Sequence, residues 1–294
     1  MPCASKTGRR STNGATSSPP ASTIHCCAIS CAAAAMKSSP DTADPLGQEA
    51  LPTVPADSLG VLSLLPGIAT AASEQAAVEL FWHAVRQIGA DSGVFLSAIK
   101  DDATRTSIRS LLACDPRWAL EYSRVDWHDH DPWLRHALDS QTPIRNEELR
   151  VRSGEQEFIG RSVALGFAST VVVPAPTCFG GARFGVLVLG SRNPDRFSGT
   201  DYEMIRIVAR ALAMELHEWL LRALRDDLLE RSNITHDEIE LLRHEAAGHT
   251  SKMVAAALGI KPKIVDYRFQ RVSAKLNAPD RRTAMRIARL YGLI

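Results

Sequence analysis

The segment from Ile234 to Ile294 constrains this chain most, because its capping and breaking residues fix where each turn must fall. Thr235-His236-Asp237-Glu238 is a capping box: the Thr235 hydroxyl can accept from the third amide of a helix while Glu238 reaches back. Ile239, Leu241 and Leu242 give that helix an inward stripe. A second helix is expected over Ser251 to Leu258, burying Met253, Val254, Ala257 and Leu258 and ending at Gly259, whose missing Cβ admits a left-handed cap. Pro262 stands where a third helix would begin, at a position whose amide has no intrahelical partner in any case. That helix, Lys263 to Leu276, would bury Ile264, Val265, Phe269 and Val272 and turn a polar face outward. Two short helices joined by a tight turn, the second with a polar outer face, have the spacing of a helix-turn-helix.

Charge says what the outer face meets. Between His249 and Ile294 the bases are Lys252, Lys261, Lys263, Arg268, Arg271, Lys275, Arg281, Arg282, Arg286 and Arg289, against Asp266 and Asp280. The whole chain carries a formal charge of only +1, so positive charge is concentrated in one small module, as neutralising the phosphates of double-stranded DNA requires. The bland alternative is a solvated basic helical tail.

The arrangement Ile234-Thr235, Glu238, Leu242, Ala247-Gly248-His249-Thr250, Leu258-Gly259-Ile260, Val265, Lys275-Leu276, Arg281 and Gly292-Leu293-Ile294 resembles the C-terminal domain of LuxR-type regulators. The resemblance implies that Asp266, Tyr267 and Gln270 face base edges, with Lys261, Lys263, Arg268 and Arg271 beside them and the last three of these on phosphate. Departures from the pattern leave the operator sequence open: Asp237 replaces an Arg, Lys252-Met253 replaces a Glu-containing pair, Lys261-Pro262-Lys263-Ile264-Val265 replaces Ser-x-x-Thr-Val, and Arg268 replaces a His.

With 294 residues and 45% hydrophobic content the chain can fill two cores, and no apolar run approaches a membrane span. A soluble, cytoplasmic protein is expected. Residues 1–70 read as an unstructured leader, with Met36 as an alternative start and Arg9-Arg10 as an incidental pair. Cys3, Cys26, Cys27 and Cys31 lie in it, leaving Cys114 and Cys178 in the folded body, a usage compatible with a reducing cytosol. His25 beside the leader cysteines, and His128 and His130 within Trp127-His128-Asp129-His130-Asp131, have no second ligand cluster, so no metal is expected.

Residues 71–225 read as a ligand-binding domain, followed by the DNA-binding domain at 226–294. A helical stripe runs from Ala76 to Ile88. Strand-like runs follow at Gly93 to Ile99, Thr104 to Leu111, Ser169 to Val173 and Phe184 to Gly190, the last two joined by a turn at Cys178-Phe179-Gly180-Gly181. Thr200-Asp201-Tyr202-Glu203 reads as another capping box, opening a long helix marked by Met204, Ile205, Val208, Leu212, Leu216, Trp219, Leu220 and Leu224. The pattern is α+β: helices on both sides of an antiparallel sheet, an α/β/α sandwich able to enclose a small molecule. The stripe from Met204 to Leu224 is longer than one domain face needs, so it is expected to carry a homodimer interface, as two-fold operators require.

Trp118 and Tyr122 lie four apart on one helix face, and Asp131-Pro132 follows nine residues later. This trio, with Gly166 ahead of the Ser169 strand, resembles the signal-binding domain of LuxR-type regulators. The resemblance implies a small diffusible signal, an N-acyl-homoserine lactone: Trp118 would donate to the lactone carbonyl, Tyr122 would wall the acyl chain and Asp131 would accept the amide N–H. Two positions depart from the pattern. Asn146 stands where the family places a second tryptophan against the lactone ring, and Cys114 where a ring-contacting tyrosine is frequent. Both remain candidate ligand residues, at a lactone end more polar and less aromatic than usual. A non-lactone signal, or a regulator acting without ligand, is the alternative; a response-regulator output protein fits less well because the body lacks a βα alternation. No Gly-x-Ser-x-Gly elbow, phosphate-binding loop or dinucleotide fingerprint is present, so neither an enzyme nor a cofactor is expected.

Overall fold

A computed structural model of the protein describes residues 58–102, 105–124, 127–176 and 183–294. Its first half is a five-stranded antiparallel sheet, β1 (Ser92–Asp102), β2 (Arg105–Ala113), β3 (Ile144–Arg145), β4 (Ser169–Pro176) and β5 (Arg183–Ser191), in the order β2-β1-β5-β4-β3. The period-two alternation of these strands sorts their side chains onto two faces, both buried. Phe95, Val171, Val173, Leu187 and Leu189 enter one cluster with helices α1 (Ser58–Ala69), α2 (Glu74–Gln87) and α6 (Tyr202–Ser232). Val94, Leu96, Val172, Val186 and Val188 enter the other with α3 (Arg117–Arg124), α4 (Pro132–Asp139) and α5 (Gln156–Ala164). The α/β/α sandwich is therefore real, with two cores back to back.

The folded body begins before residue 71: Val61, Leu65 and Ile68 of α1 are buried against α2 and α6. Their i, i+4, i+7 spacing lies in a segment assigned to the unstructured leader. The turn expected at Cys178 to Gly181 lies outside the described residues. The expected box at Thr200 does not form. Asp201 occupies the N-cap without a side-chain cap bond, because Arg196 takes its carboxylate at 2.9 Å.

Helix α6 runs for 31 residues, so the expected boundary at 225/226 falls inside a continuous helix. Its earlier turns pack into the sheet core, while Leu228 and Leu229 pack against the C-terminal domain. The structure also divides the apolar stripe expected to dimerise. Ile205, Val208, Leu212, Leu216, Trp219, Leu220 and Leu224 are buried in their own domain, and Trp219 Nε1 donates to the Ala71 carbonyl at 2.9 Å. What remains outward is a second, narrower stripe of Met204, Ile207 and Met214.

The C-terminal domain contains α7 (His236–Ala246), α8 (Ser251–Leu258), α9 (Pro262–Lys275) and α10 (Arg281–Leu290). The capping box forms as read, Thr235 N donating to Glu238 Oε2 at 2.9 Å and Glu238 N to Thr235 Oγ1 at 3.4 Å. Gly259 closes α8 at φ +64°, where a side chain would be strained. The inward face of α8 differs from expectation. It is Val254 and Ala255 that are buried, whereas Met253, Ala257 and Leu258 are exposed, as is Ile264 at the start of α9. A helix of two turns offers too few residues for its period to fix which face turns inward, and the α9 contact chooses it.

The two domains also touch through one buried cation. Arg183, at the start of β5, donates to the Leu290 carbonyl at the end of α10 at 2.8 Å and to Ser97 Oγ at 3.2 Å. Its guanidinium lies 5.4 Å from the Tyr291 ring centroid. Burial holds its pKa down to about 10, and burial together with Arg183 lowers that of His217 to about 4.

Candidate ligand site and nucleic-acid face

The second core is unusually aromatic. Trp118 stacks on Tyr122 with centroids 4.6 Å apart, and Tyr122 meets Trp127 and Phe158 edge-on at 6.2 and 6.3 Å. Trp133 lies nearly parallel to Trp118, at 11° and 6.4 Å, and is held edge-to-face by Phe158 at 4.7 Å. Phe167 packs on both tryptophans, and Gly190 makes room for it: a Cβ there would sit 2.3 Å from the Phe167 ring. The four-residue spacing of Trp118 and Tyr122 therefore does place both rings on the buried face of α3.

Asp131 is 2% exposed among these rings. It N-caps α4, its Oδ1 accepting from the amides of Trp133 at 2.8 Å and Leu134 at 3.2 Å, while Oδ2 accepts from the Tyr122 hydroxyl at 2.8 Å. Burial nevertheless dominates and pushes its pKa up to about 7, against the pull of those three donors and with a small push from Glu155. The charge of Glu155 is itself taken by Arg135 at 2.6 Å.

The indole nitrogens of Trp118 and Trp133 are buried and have no hydrogen-bond partner among the described residues. A buried donor left unpaired costs about 1–3 kcal/mol, so this core is incomplete as a purely structural core. It offers donors beside an acceptor, the complement of an amide or ester flanked by apolar groups.

The other two sequence candidates are placed differently. Cys114 is buried in the same cluster, with its thiol 3.7 Å from the Asp115 carbonyl. Asn146 follows the short strand β3 and is half-buried, its Oδ1 accepting from the Thr170 amide of β4 at 3.1 Å. That bond ties Asn146 to the sheet edge. Trp127, Trp133, Phe158 and Phe167 were not singled out from sequence. For Trp133 the signal was available, since it immediately follows the Asp131-Pro132 pair and falls on the buried face of α4. His128 lies 3.6 Å from Asp129, and no cluster of three metal-ligating side chains is found among the described residues. Nor is any described helix long and apolar enough to cross a membrane.

On the C-terminal domain, Val265, Phe269 and Val272 point inward from α9. Lys261, Lys263, Asp266, Tyr267, Gln270 and Arg271 are exposed, and Arg268 is half-buried. The structure qualifies three of these. Asp266 accepts from Ser251 Oγ at 2.7 Å, which fixes its rotamer toward α8. Arg271 lies 3.9 Å from Glu238, whose other oxygen takes Lys275 at 2.6 Å, so part of its charge is already met. Tyr267 is 60% exposed, and Ile264 and Met253 are exposed apolar residues on α9 and α8.

Residues 73–220 match the family described as the autoinducer binding domain, and residues 232–288 match bacterial regulatory proteins of the luxR family. The chain belongs to the LuxR-type autoinducer-binding regulators. Among curated relatives of this LuxR-type chain, the transcriptional activator protein PhzR of Pseudomonas fluorescens is 26% identical over 186 residues, covering 60% of this chain and 72% of PhzR. The fold is similar to the crystal structure of Escherichia coli SdiA, with a TM-score of 0.63 at 20% identity over 80% of this chain and 98% of SdiA. A structure of SdiA in complex with octanoyl-rac-glycerol gives a TM-score of 0.60 at 18% identity, covering 78% of this chain and 93% of that one. The LuxR-type helix-turn-helix thus corresponds to α8 and α9, and the autoinducer-binding region to the two-core sandwich.

Proposed function

We propose that this LuxR-type regulator is a cytoplasmic homodimer that takes an N-acyl-homoserine lactone into the aromatic core and binds operator DNA through α9. The observation that carries the ligand reading is Asp131, buried at 2% exposure and bonded to Tyr122, on whose ring the unpartnered Trp118 indole stacks. A bound amide satisfies both at once, its N–H meeting the carboxylate and a carbonyl meeting the indole. The departures at Cys114 and Asn146 favour one alternative, a signal of the same polarity without the lactone ring; SdiA, whose fold this chain shares, is described with an acylglycerol bound. Isothermal titration against a chain-length series of lactones separates the two. Heat with any member supports the lactone, and Trp118→Phe should then weaken it by about 1–3 kcal/mol. No heat with any of them removes lactones and leaves the regulator assignment standing.

The DNA reading makes a separate demand. Gln270→Ala should cost about 1–3 kcal/mol on operator DNA and little on random sequence, because the exposed carboxamide has only bases to read. Arg271→Ala should weaken both DNAs alike and lower the salt slope by less than about one charge, since Glu238 already meets part of it. Equal losses from both variants on both DNAs, measured by fluorescence anisotropy at several salt concentrations, would contradict this division of labour. The dimer is assigned to the outward stripe of Met204, Ile207 and Met214.

A further inference from the structure

Several donors could serve the acceptor oxygens of a signal in the second core, and the structure separates them. The Tyr122 hydroxyl is committed to Asp131 Oδ2 at 2.8 Å. The Cys114 thiol is a weak donor and turns to the Asp115 carbonyl at 3.7 Å. The indole nitrogens of Trp118 and Trp133 are both buried and unpartnered among the described residues.

We propose that Trp133 is a second hydrogen-bond donor to the signal, so that the ligand presents two carbonyl oxygens, one to each indole, with the N–H between them directed to Asp131. The proposal rests on the reading that this core holds the signal. Trp133 cannot swing to find another partner: its backbone amide is fixed to Asp131 Oδ1 at 2.8 Å, and its ring is clamped by Phe158 at 4.7 Å and Phe167 at 5.4 Å. A hydroxyl can rotate toward whatever acceptor is near, whereas a clamped indole N–H has one direction only. Its ring lies nearly parallel to that of Trp118, at 11° with centroids 6.4 Å apart, so two similar donors stand close together in one core. Asp131, two residues before Trp133 and bonded to its amide and to the Tyr122 hydroxyl, is the acceptor. An acylated amino-lactone has this order of groups, an acyl carbonyl and a ring carbonyl on either side of one amide N–H. Trp118 is assigned the ring carbonyl and Trp133 the acyl carbonyl. Thr170 Oγ1, buried and unpartnered on β4, is the competing donor for the acyl carbonyl.

The test titrates the full chain and its Trp118→Phe, Trp133→Phe and Thr170→Val variants with N-octanoyl-homoserine lactone and with N-cyclopentyl octanamide, which keeps the amide and lacks the ring carbonyl. Trp133→Phe should weaken both probes by about tenfold, whereas Trp118→Phe should weaken the lactone about tenfold and the cyclopentyl amide hardly at all. In the wild-type protein, the Trp133 indole proton resonance should also move downfield on addition of the lactone. That readout needs no folded variant. Unchanged binding in Trp133→Phe with loss in Trp118→Phe, or loss in Thr170→Val alone, overturns the assignment of Trp133 while sparing the ligand reading. Absence of binding to the wild-type chain across the lactone series overturns both.

Discussion

Leu216→Glu is expected to unfold the ligand domain, while Ile207→Glu on the same helix is expected to leave it folded and break the proposed dimer. Leu216 is 0% exposed in the sheet-side core, and a carboxylate there finds no water. Burying an unpaired charge or forcing its protonation costs upwards of about 4 kcal/mol, a large share of the roughly 5–15 kcal/mol that holds a domain together. Circular dichroism melts should show the transition lost or strongly lowered. Ile207, by contrast, is 58% exposed, where a polar replacement changes stability by no more than about 0.5 kcal/mol. Its melt should be unchanged, while sedimentation velocity should show monomers and operator affinity should fall, because one chain occupies one half-site. A dimeric Ile207→Glu protein would place the interface elsewhere than on the Met204, Ile207 and Met214 stripe.

Lactone affinity should fall about tenfold per pH unit below about pH 7 and level off above it. Burial raises the Asp131 pKa to about 7, so in the empty site the neutral carboxyl predominates below that value. An amide N–H needs the carboxylate, and binding then releases one proton, worth about 1.4 kcal/mol per unit below the empty-site value. Asp131→Asn should bind more weakly and lose the pH dependence. A flat profile in the wild-type protein would mean that Asp131 is already ionised, or does not meet the signal. The stability of the empty domain should move the other way. Because the folded value lies above the unfolded 3.8, the protonated carboxyl contributes stability that is present below about pH 4 and lost as pH rises through 7. His217, depressed from 6.5 to about 4, opposes this: its contribution is present above pH 6.5 and lost as pH falls through 4. The Asp131 contribution is therefore best read as the difference between wild type and Asp131→Asn.

Local chemistry was legible wherever a residue acts on its own neighbours. The Thr235–Glu238 box, the left-handed Gly259 and the placement of Pro262 at the first position of α9 were all readable, because each is decided within four residues. The same local logic failed at Thr200, where Arg196 competes for Asp201. The Trp118, Tyr122 and Asp131 trio was legible through its resemblance to a family pattern, and its members do meet: Trp118 stacks on Tyr122, whose hydroxyl donates to Asp131.

What sequence alone determined, then, is the α+β class of the first domain, the basic helical domain that follows it, and the helices and caps of that second domain from Thr235 to Lys275. Their signals are short-range periodicities and caps. Tertiary structure alone decided which side of an apolar helix counts as core: α6 carries apolar residues around much of its circumference, and only packing on the sheet consigns Leu216 inward and Ile207 outward. It likewise decided that α8 buries Val254 and Ala255 and turns Met253 outward, that Trp133 joins Trp118 from a different helix, and that Asn146 bonds to the Thr170 amide 24 residues on. Each is a contact between elements distant along the chain, and periodicity within one element holds no information about which neighbour will cover it.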